Sequence, residues 1–208
     1  MIAIIGKKIG MSQVFLESGE VRPVSIIEAG PCQVVQVKTD KKEGYSSVQV
    51  GFEVKPERLV KKPEKGHFDK AGTPSFRHLK EIRDFEADYC KVGEPLTVEL
   101  FKVGDMVKVT GVTKGKGFQG VVKRHGFHGG PKTHGQSDRL RAPGSIGASA
   151  YPSRVIKGMR MPGRMGGDSK TVRGLTIVKI DAVNNLLYVK GAVPGAINSI
   201  VTIRRQES

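Results

Sequence analysis

From Gly111 to Arg173 no apolar spacing, at either the strand or the helix period, survives for more than about ten residues, and that absence limits the fold more than any other feature. The stretch reads GVTKGKGFQGVVKRHGFHGGPKTHGQSDRLRAPGSIGASAYPSRVIKGMRMPGRMGGDSKTVR. It holds thirteen Lys and Arg against Asp138 and Asp168 alone, a local net charge of +11, and fourteen of the chain's 27 glycines. Ordering a residue's backbone costs about 1–2 kcal/mol, and few apolar contacts here offset it. Such a segment is expected to be ordered by something outside the chain or to stay disordered. The core must lie at the two ends.

Charge names the partner. A polyanion gains Coulomb attraction and releases counterions when Lys and Arg reach its phosphates, and the whole chain carries +15 with a pI near 9.9. Glycine backbones can also approach a ligand closely. Because Gly, Pro, His and Met separate the charges, the pattern reads as a shaped path through folded nucleic acid. A basic membrane-surface helix is excluded by the same Gly and Pro content.

With 208 residues, 38% hydrophobic, the chain is one large domain or two small ones. Cys32 and Cys90 are isolated, with neither disulfide nor metal spacing. MIAIIGKKIG has too short an apolar run for a leader, and no run reaches the roughly 18 residues of a membrane span. The expectation is a cytoplasmic protein without a membrane association.

Strands are expected at 2–5, 21–27, 32–38 and 45–52, then at 96–100 and 106–113, and after the basic stretch at 175–180, 186–189 and 200–203. Turns fall at Ser18-Gly19-Glu20, at Lys41 to Gly44 and at Asp181 to Asn185. Between them, 54–95 reads as a small insertion with short helices near Glu57 to Val60 and Pro63 to Ala71. The simplest arrangement is a mainly β fold, a barrel closed by strands from both halves. Its expected parts are 1–53 as the first part of the barrel, 54–95 as the inserted subdomain, 96–113 as barrel strands, 114–173 as an extended loop and 174–208 as the closing strands. If the loop leaves near Gly126 and returns near Gly158, each limb of about 16 residues spans at most roughly 50 Å.

Lys7 and Lys8 on the first hairpin are solvated edge charges or phosphate contacts. Gly115-Lys116-Gly117-Phe118-Gln119-Gly120 matches GxGxxG literally, but HGFHGGPKTHGQ follows it where a dinucleotide fold needs a buried helix and a parallel strand. The glycines are better read as letting Lys114, Lys116 and the backbone approach phosphates, with a short helix over 118–124 ending in Lys123 and Arg124. His125, His128 and His134 lack a fourth metal ligand, and histidines in a basic, Gly-rich segment stack on bases or bond phosphates. Ser137-Asp138 and Asp168-Ser169 have no rigid frame to make a catalytic site. The reading is therefore no enzyme, no cofactor and no metal.

The candidate RNA contacts are Lys114, Lys116, Lys123, Arg124, His125, His128, Lys132, His134, Arg139, Arg141, Arg154, Lys157, Arg160, Arg164, Lys170 and Arg173. Gly115, Gly117, Gly120, Gly129, Gly130, Gly144 and Gly147 are the candidate points of backbone approach. Met159, Met161 and Met165, in a segment broken by Pro162, are placed against sugar or base faces. Two other classes remain: a nucleotide-dependent enzyme built on the GxGxxG match, and a general DNA-compacting protein. The latter has no recognisable helix for a major groove.

GKKIGM at 6–11, GHF at 66–68, TKGKGFQGVVKRHGF at 113–127, HG at 134–135, APGSIG at 142–147 and VKGAVPG at 189–195 resemble the ribosomal protein three family of the bacterial large subunit. The resemblance covers essentially the whole chain. It implies a six-stranded Greek-key barrel of the kind shared with translation factors, an inserted subdomain, and a loop threading into 23S ribosomal RNA toward the peptidyl transferase centre. It also implies direct binding near the 3′ end of that RNA, a part in starting large-subunit assembly, and contacts with large-subunit proteins fourteen and nineteen. Some bacterial members carry a methylated glutamine where this chain has Ala150, so that modification is not expected here.

Overall fold

The Val- and Ile-rich stretches at both ends form strands, and pairing between the ends closes them. The computed structural model describes residues 2–83 and 90–206. Along the chain the strands are β1 (Ala3–Phe15), β2 (Val21–Glu28), β3 (Cys32–Lys38), β4 (Ser47–Val54), β5 (Phe76–Arg83), β6 (Pro95–Leu96) and β7 (Met106–Val112), then β8 (Phe118–Gln119), β9 (Gly163–Arg164), β10 (Ser169–Asp181), β11 (Leu186–Lys190) and β12 (Ile200–Arg205). The helices are α1 (Asp40–Glu43), α2 (Lys62–Ala71) and α3 (Val121–His125). By contact the chain divides into Met1–Thr113 with Ser169–Ser208, and Lys114–Asp168.

The first unit contains a closed barrel in the order β1-β12-β7-β10-β11-β2, every pair antiparallel. β7, β10 and β11 are successive neighbours, and β12 returns to lie beside β7, which is a Greek-key order. The expected mainly β fold with a six-stranded barrel is therefore what the chain forms. β1 and β2 make a hairpin whose turn uses Gly19 at φ 81, a conformation that costs glycine little, with Gly19 N–H donating to Leu16 O at 2.9 Å.

A second sheet, ordered β5-β4-β3-β6, takes residues expected elsewhere. β3 and β4 belong to this sheet and not to the barrel. In the segment expected as barrel at 96–100, Leu96 pairs with β3 and Val98–Leu100 is a turn of 3-10 helix. Burial gives the reason. Val34 and Val35 are adjacent yet both buried, so β3 is covered on both faces. Val34 joins one apolar cluster with Val50, Ile82 and the barrel residues Ile4, Val109 and Ile203; Val35 packs with Phe68 of α2 and with Phe76. Alternation identifies a strand but not the sheet it joins. Gly30 marks the passage between sheets: it has φ 102, and a Cβ added there would lie only 3.0 Å from Leu96 O. The inserted part thus runs beyond 54–95, and 84–89 within it lie outside the described residues.

The helices expected in that part are present as Glu57–Leu59 and α2. α2 ends at Gly72 in the left-handed conformation, whose N–H reaches back to Asp69 and Phe68 carbonyls. Across the sheet, Phe76 lies on Gly51, where a Cβ would come within 2.5 Å of Phe76 Cγ. Phe76 also meets Phe68 edge-on, with ring centroids 6.0 Å apart. Gly51→Ala is expected to displace this ring and cost about 1–3 kcal/mol. The check is a lower urea midpoint at unchanged slope.

The loop boundary also differs from expectation. The chain re-enters the barrel at Ser169, so Lys170 and Arg173 lie on β10, with Lys170 opposite Gly111. The start of β10 is exposed on most positions, and backbone pairing holds it without any apolar alternation to reveal it.

Candidate nucleic-acid interface

The second unit, Lys114–Asp168, holds eleven Lys and Arg and only Asp138 and Asp168. Its root is a short ladder. Phe118 and Gln119 pair with Arg164 and Gly163, Lys116 N–H donates to Met165 O at 2.9 Å, and Met165 N–H donates to Gly117 O at 3.0 Å. Gly166, at φ 72, has no room for a side chain because Lys114 O occupies the position. The GxGxxG match is thus the first limb of an antiparallel ladder. Its following helix, α3, has five residues, which is not a dinucleotide-binding βαβ unit.

α3 starts at Gly120, buries Val121 and stops at Gly126 with φ 74. The short helix expected over 118–124 is shifted, because 118 and 119 are in the ladder. Its last turn carries Lys123, Arg124 and His125, placing positive charge where the helix dipole favours it. Arg124 Nη1 donates to Met161 O at 2.6 Å and His125 Nε2 donates to the same oxygen at 3.0 Å. Both are candidate RNA contacts by sequence. Arg124 Nη1 and His125 Nε2 also clamp the returning limb to the outgoing one.

Beyond α3 the chain doubles back on itself, so the limbs are not two straight runs of equal length. Gly130 N–H donates to Leu140 O at 3.0 Å. With its amide turned so that the oxygen faces the backbone N–H groups, the Gln136 side chain accepts from Leu140 N at 2.8 Å and Arg139 N at 3.0 Å. A side chain at Gly129, which has φ 75, would run into the Leu140 carbonyl. The close approach expected of Gly129 and Gly130 toward RNA is here an approach to the chain's own Leu140 and Arg139. Gly115, Gly117, Gly120 and Gly144 have open space around them, and Gly147 nearly so.

This fold-back borders a cavity of about 550 Å3 whose walls include His125, Phe127, His128, Arg139, Pro143 and Arg160. The His125 and Phe127 rings are 6.0 Å apart and tilted by 44°. Lys114, Lys116, Lys123, Lys132, His134, Arg141, Arg154, Lys157 and Arg164 are exposed elsewhere on the unit. Lys170 and Arg173 are exposed on the first unit. Among the described residues the three histidines do not gather with a carboxylate or thiolate into a metal-binding group. No helix among those residues is long and apolar enough to cross a membrane.

Charge counting misses the aromatics. Phe118 is 77% exposed beside Lys116, and Tyr151 is 90% exposed. Spacing does not single them out, since Val121 and Val122 follow Phe118, and Val155 follows Tyr151, at helical intervals; an aromatic set in a Gly-rich, cationic run is the signal that could find them. Phe127, set between His125 and His128, carries the same signal.

A family described as Ribosomal protein L3 matches residues 78–185. The large ribosomal subunit protein uL3 of Chloroherpeton thalassium is 54% identical over 204 residues, covering 98% of each chain. That of Natranaerobius thermophilus is 54% identical over 201 residues, covering 97% of this chain and 95% of its own. Identity at that level along nearly the full length, on a Greek-key barrel interrupted by a cationic unit between β7 and β10, means that the chain belongs to the ribosomal protein L3 family.

Proposed function

We propose that this protein is a non-catalytic structural constituent of the large ribosomal subunit in the cytoplasm and binds 23S ribosomal RNA directly. In this reading Lys114–Asp168 is the RNA-penetrating loop and reaches toward the peptidyl transferase centre. Binding near the 3′ end of the RNA nucleates subunit assembly, and the protein meets large-subunit proteins fourteen and nineteen. Family membership supports the assignment, since both relatives are named as large-subunit proteins.

The observation that carries it is electrostatic. Ten of the eleven Lys and Arg in Lys114–Asp168 are exposed, in a unit with two carboxylates. Such a surface is stable beside a polyanion and repels itself without one. If binding neutralises about 6 to 10 phosphates, log K falls with log salt with a slope of roughly −4 to −9. A filter-binding titration of the full chain against 23S fragments measures this. A slope near zero, or equal affinity for duplex DNA at physiological salt, overturns the proposal.

A further inference from the structure

The cavity beside the 129–140 fold-back is larger than phosphate binding requires. It is an open cleft of about 550 Å3, a volume within the roughly 300–1,000 Å3 of small-molecule sites. Its lining residues are of three kinds: the ring-bearing His125, Phe127 and His128, the cationic Arg139 and Arg160, and glycines of the turn, Gly129 and Gly130 among them. No carboxylate is among them. A cationic ligand finds nothing to pair with there, whereas a flat ring bearing a negative charge fits each component.

We propose that this cavity seats one unpaired RNA nucleotide, its base against the Phe127 and His128 rings and its phosphate against Arg139 and Arg160. The proposal rests on the RNA-binding reading above and adds what the seat selects. A base within a duplex is stacked and paired and cannot enter a concave site, so only a nucleotide splayed from a loop, bulge or junction can occupy it. The exposed cations elsewhere on the unit contact phosphates of any RNA, paired or not. The seat thereby distinguishes unpaired from paired RNA, which charge alone does not do.

The fold supplies the seat before RNA arrives. Three of its wall residues are held by the chain's own bonds: Gly130 N–H to Leu140 O, Arg139 N–H to the turned Gln136 amide, and His125 to Met161 O. A wall already formed lowers the ordering cost of binding.

The test uses the full chain, a fluorescent single-stranded adenosine pentaribonucleotide, an RNA duplex with matched phosphate count, and AMP as competitor, at fixed salt. Stacking of one base makes Phe127→Ala and His128→Ala each weaken single-strand binding by roughly tenfold. Duplex affinity should stay within about twofold, because neither change removes a Lys or Arg and, in the proposed seat, His128 meets the base. His128 is exposed, so its variant leaves the fold intact even if Phe127→Ala distorts the lobe. Parallel losses for both RNAs in His128→Ala, or no loss for either, overturn the seat. Displacement of the pentanucleotide by AMP at equal concentration also overturns it, making the cavity a free-nucleotide site. Absence of salt-dependent binding by the unaltered chain to either RNA defeats the underlying RNA-binding reading, an outcome distinct from failure of the seat alone.

Discussion

Removing residues 127–157 is expected to leave the barrel folded while RNA affinity collapses. No residue between 127 and 157 is buried, and the main apolar cluster passes from Val109 to Ile177 without a member in between. The cut ends are also held. Arg124 and His125 both bond to Met161 O, and the 116–119 ladder with 163–165 lies outside the deletion. Joining Gly126 to Gly158 unites two positions that already have positive φ, so the new junction can turn without strain. The thermal midpoint should move by no more than about 2 °C, the scale of a fraction of a kcal/mol in a protein of this size.

RNA binding should respond very differently. The deletion removes Lys132, Arg139, Arg141, Arg154 and Lys157, and only Asp138 among the acids. If each cation neutralises a phosphate, the salt slope flattens by about 4 and affinity near 0.15 M salt falls on the order of a hundredfold to a thousandfold. Circular dichroism melting and filter binding on the same preparation separate the two effects. Unfolding of the shortened chain, or undiminished affinity for 23S fragments, contradicts this division between scaffold and loop.

Strand positions are legible because alternation records a half-buried face, and this is visible at Met106–Val112, where buried and unburied residues alternate. Sheet membership is not. β3 is a run of the same residue types, but Val34 and Val35 face different packing partners, and no single-strand pattern says which partner a face will meet. The point of return at Ser169 is hidden for the opposite reason: SKTVRG is polar and pairs through its backbone, joined by a hydroxyl bond between Thr171 and Thr110 at 2.8 Å. Within the basic unit, lack of periodicity correctly excludes a core but says nothing of hydrogen bonds between distant residues. Arg124 and Gln136 find backbone partners in this way. A charge inventory assigns every Arg to the ligand, whereas geometry shows that Arg124 also has a backbone partner within the fold.

Lys8→Met is expected to destabilise the protein by about 2–4 kcal/mol, because Lys8 is neither a solvated edge charge nor a phosphate contact. It is only 8% exposed, and its Nζ donates to Val193 O at 2.8 Å and Gly195 O at 3.3 Å. Its backbone holds the same loop: Lys8 N–H donates to Ser199 O at 3.0 Å, and Lys8 O accepts from Asn198 N–H at 2.7 Å. GKKIGM and VKGAVPG, far apart in sequence, are therefore two sides of one arrangement. An ammonium buried against carbonyl oxygens is held by charge-assisted bonds, and methionine keeps an apolar stem while stranding both acceptors. A loss of this size lowers the thermal midpoint by roughly 5–15 °C. Hydrogen exchange should quicken first at the amides of 195–199, next to the lost bonds, and the salt slope of RNA binding should not change. Unaltered stability together with a slope flatter by about 1 is the result that a phosphate-contacting lysine requires, and it contradicts the buried role.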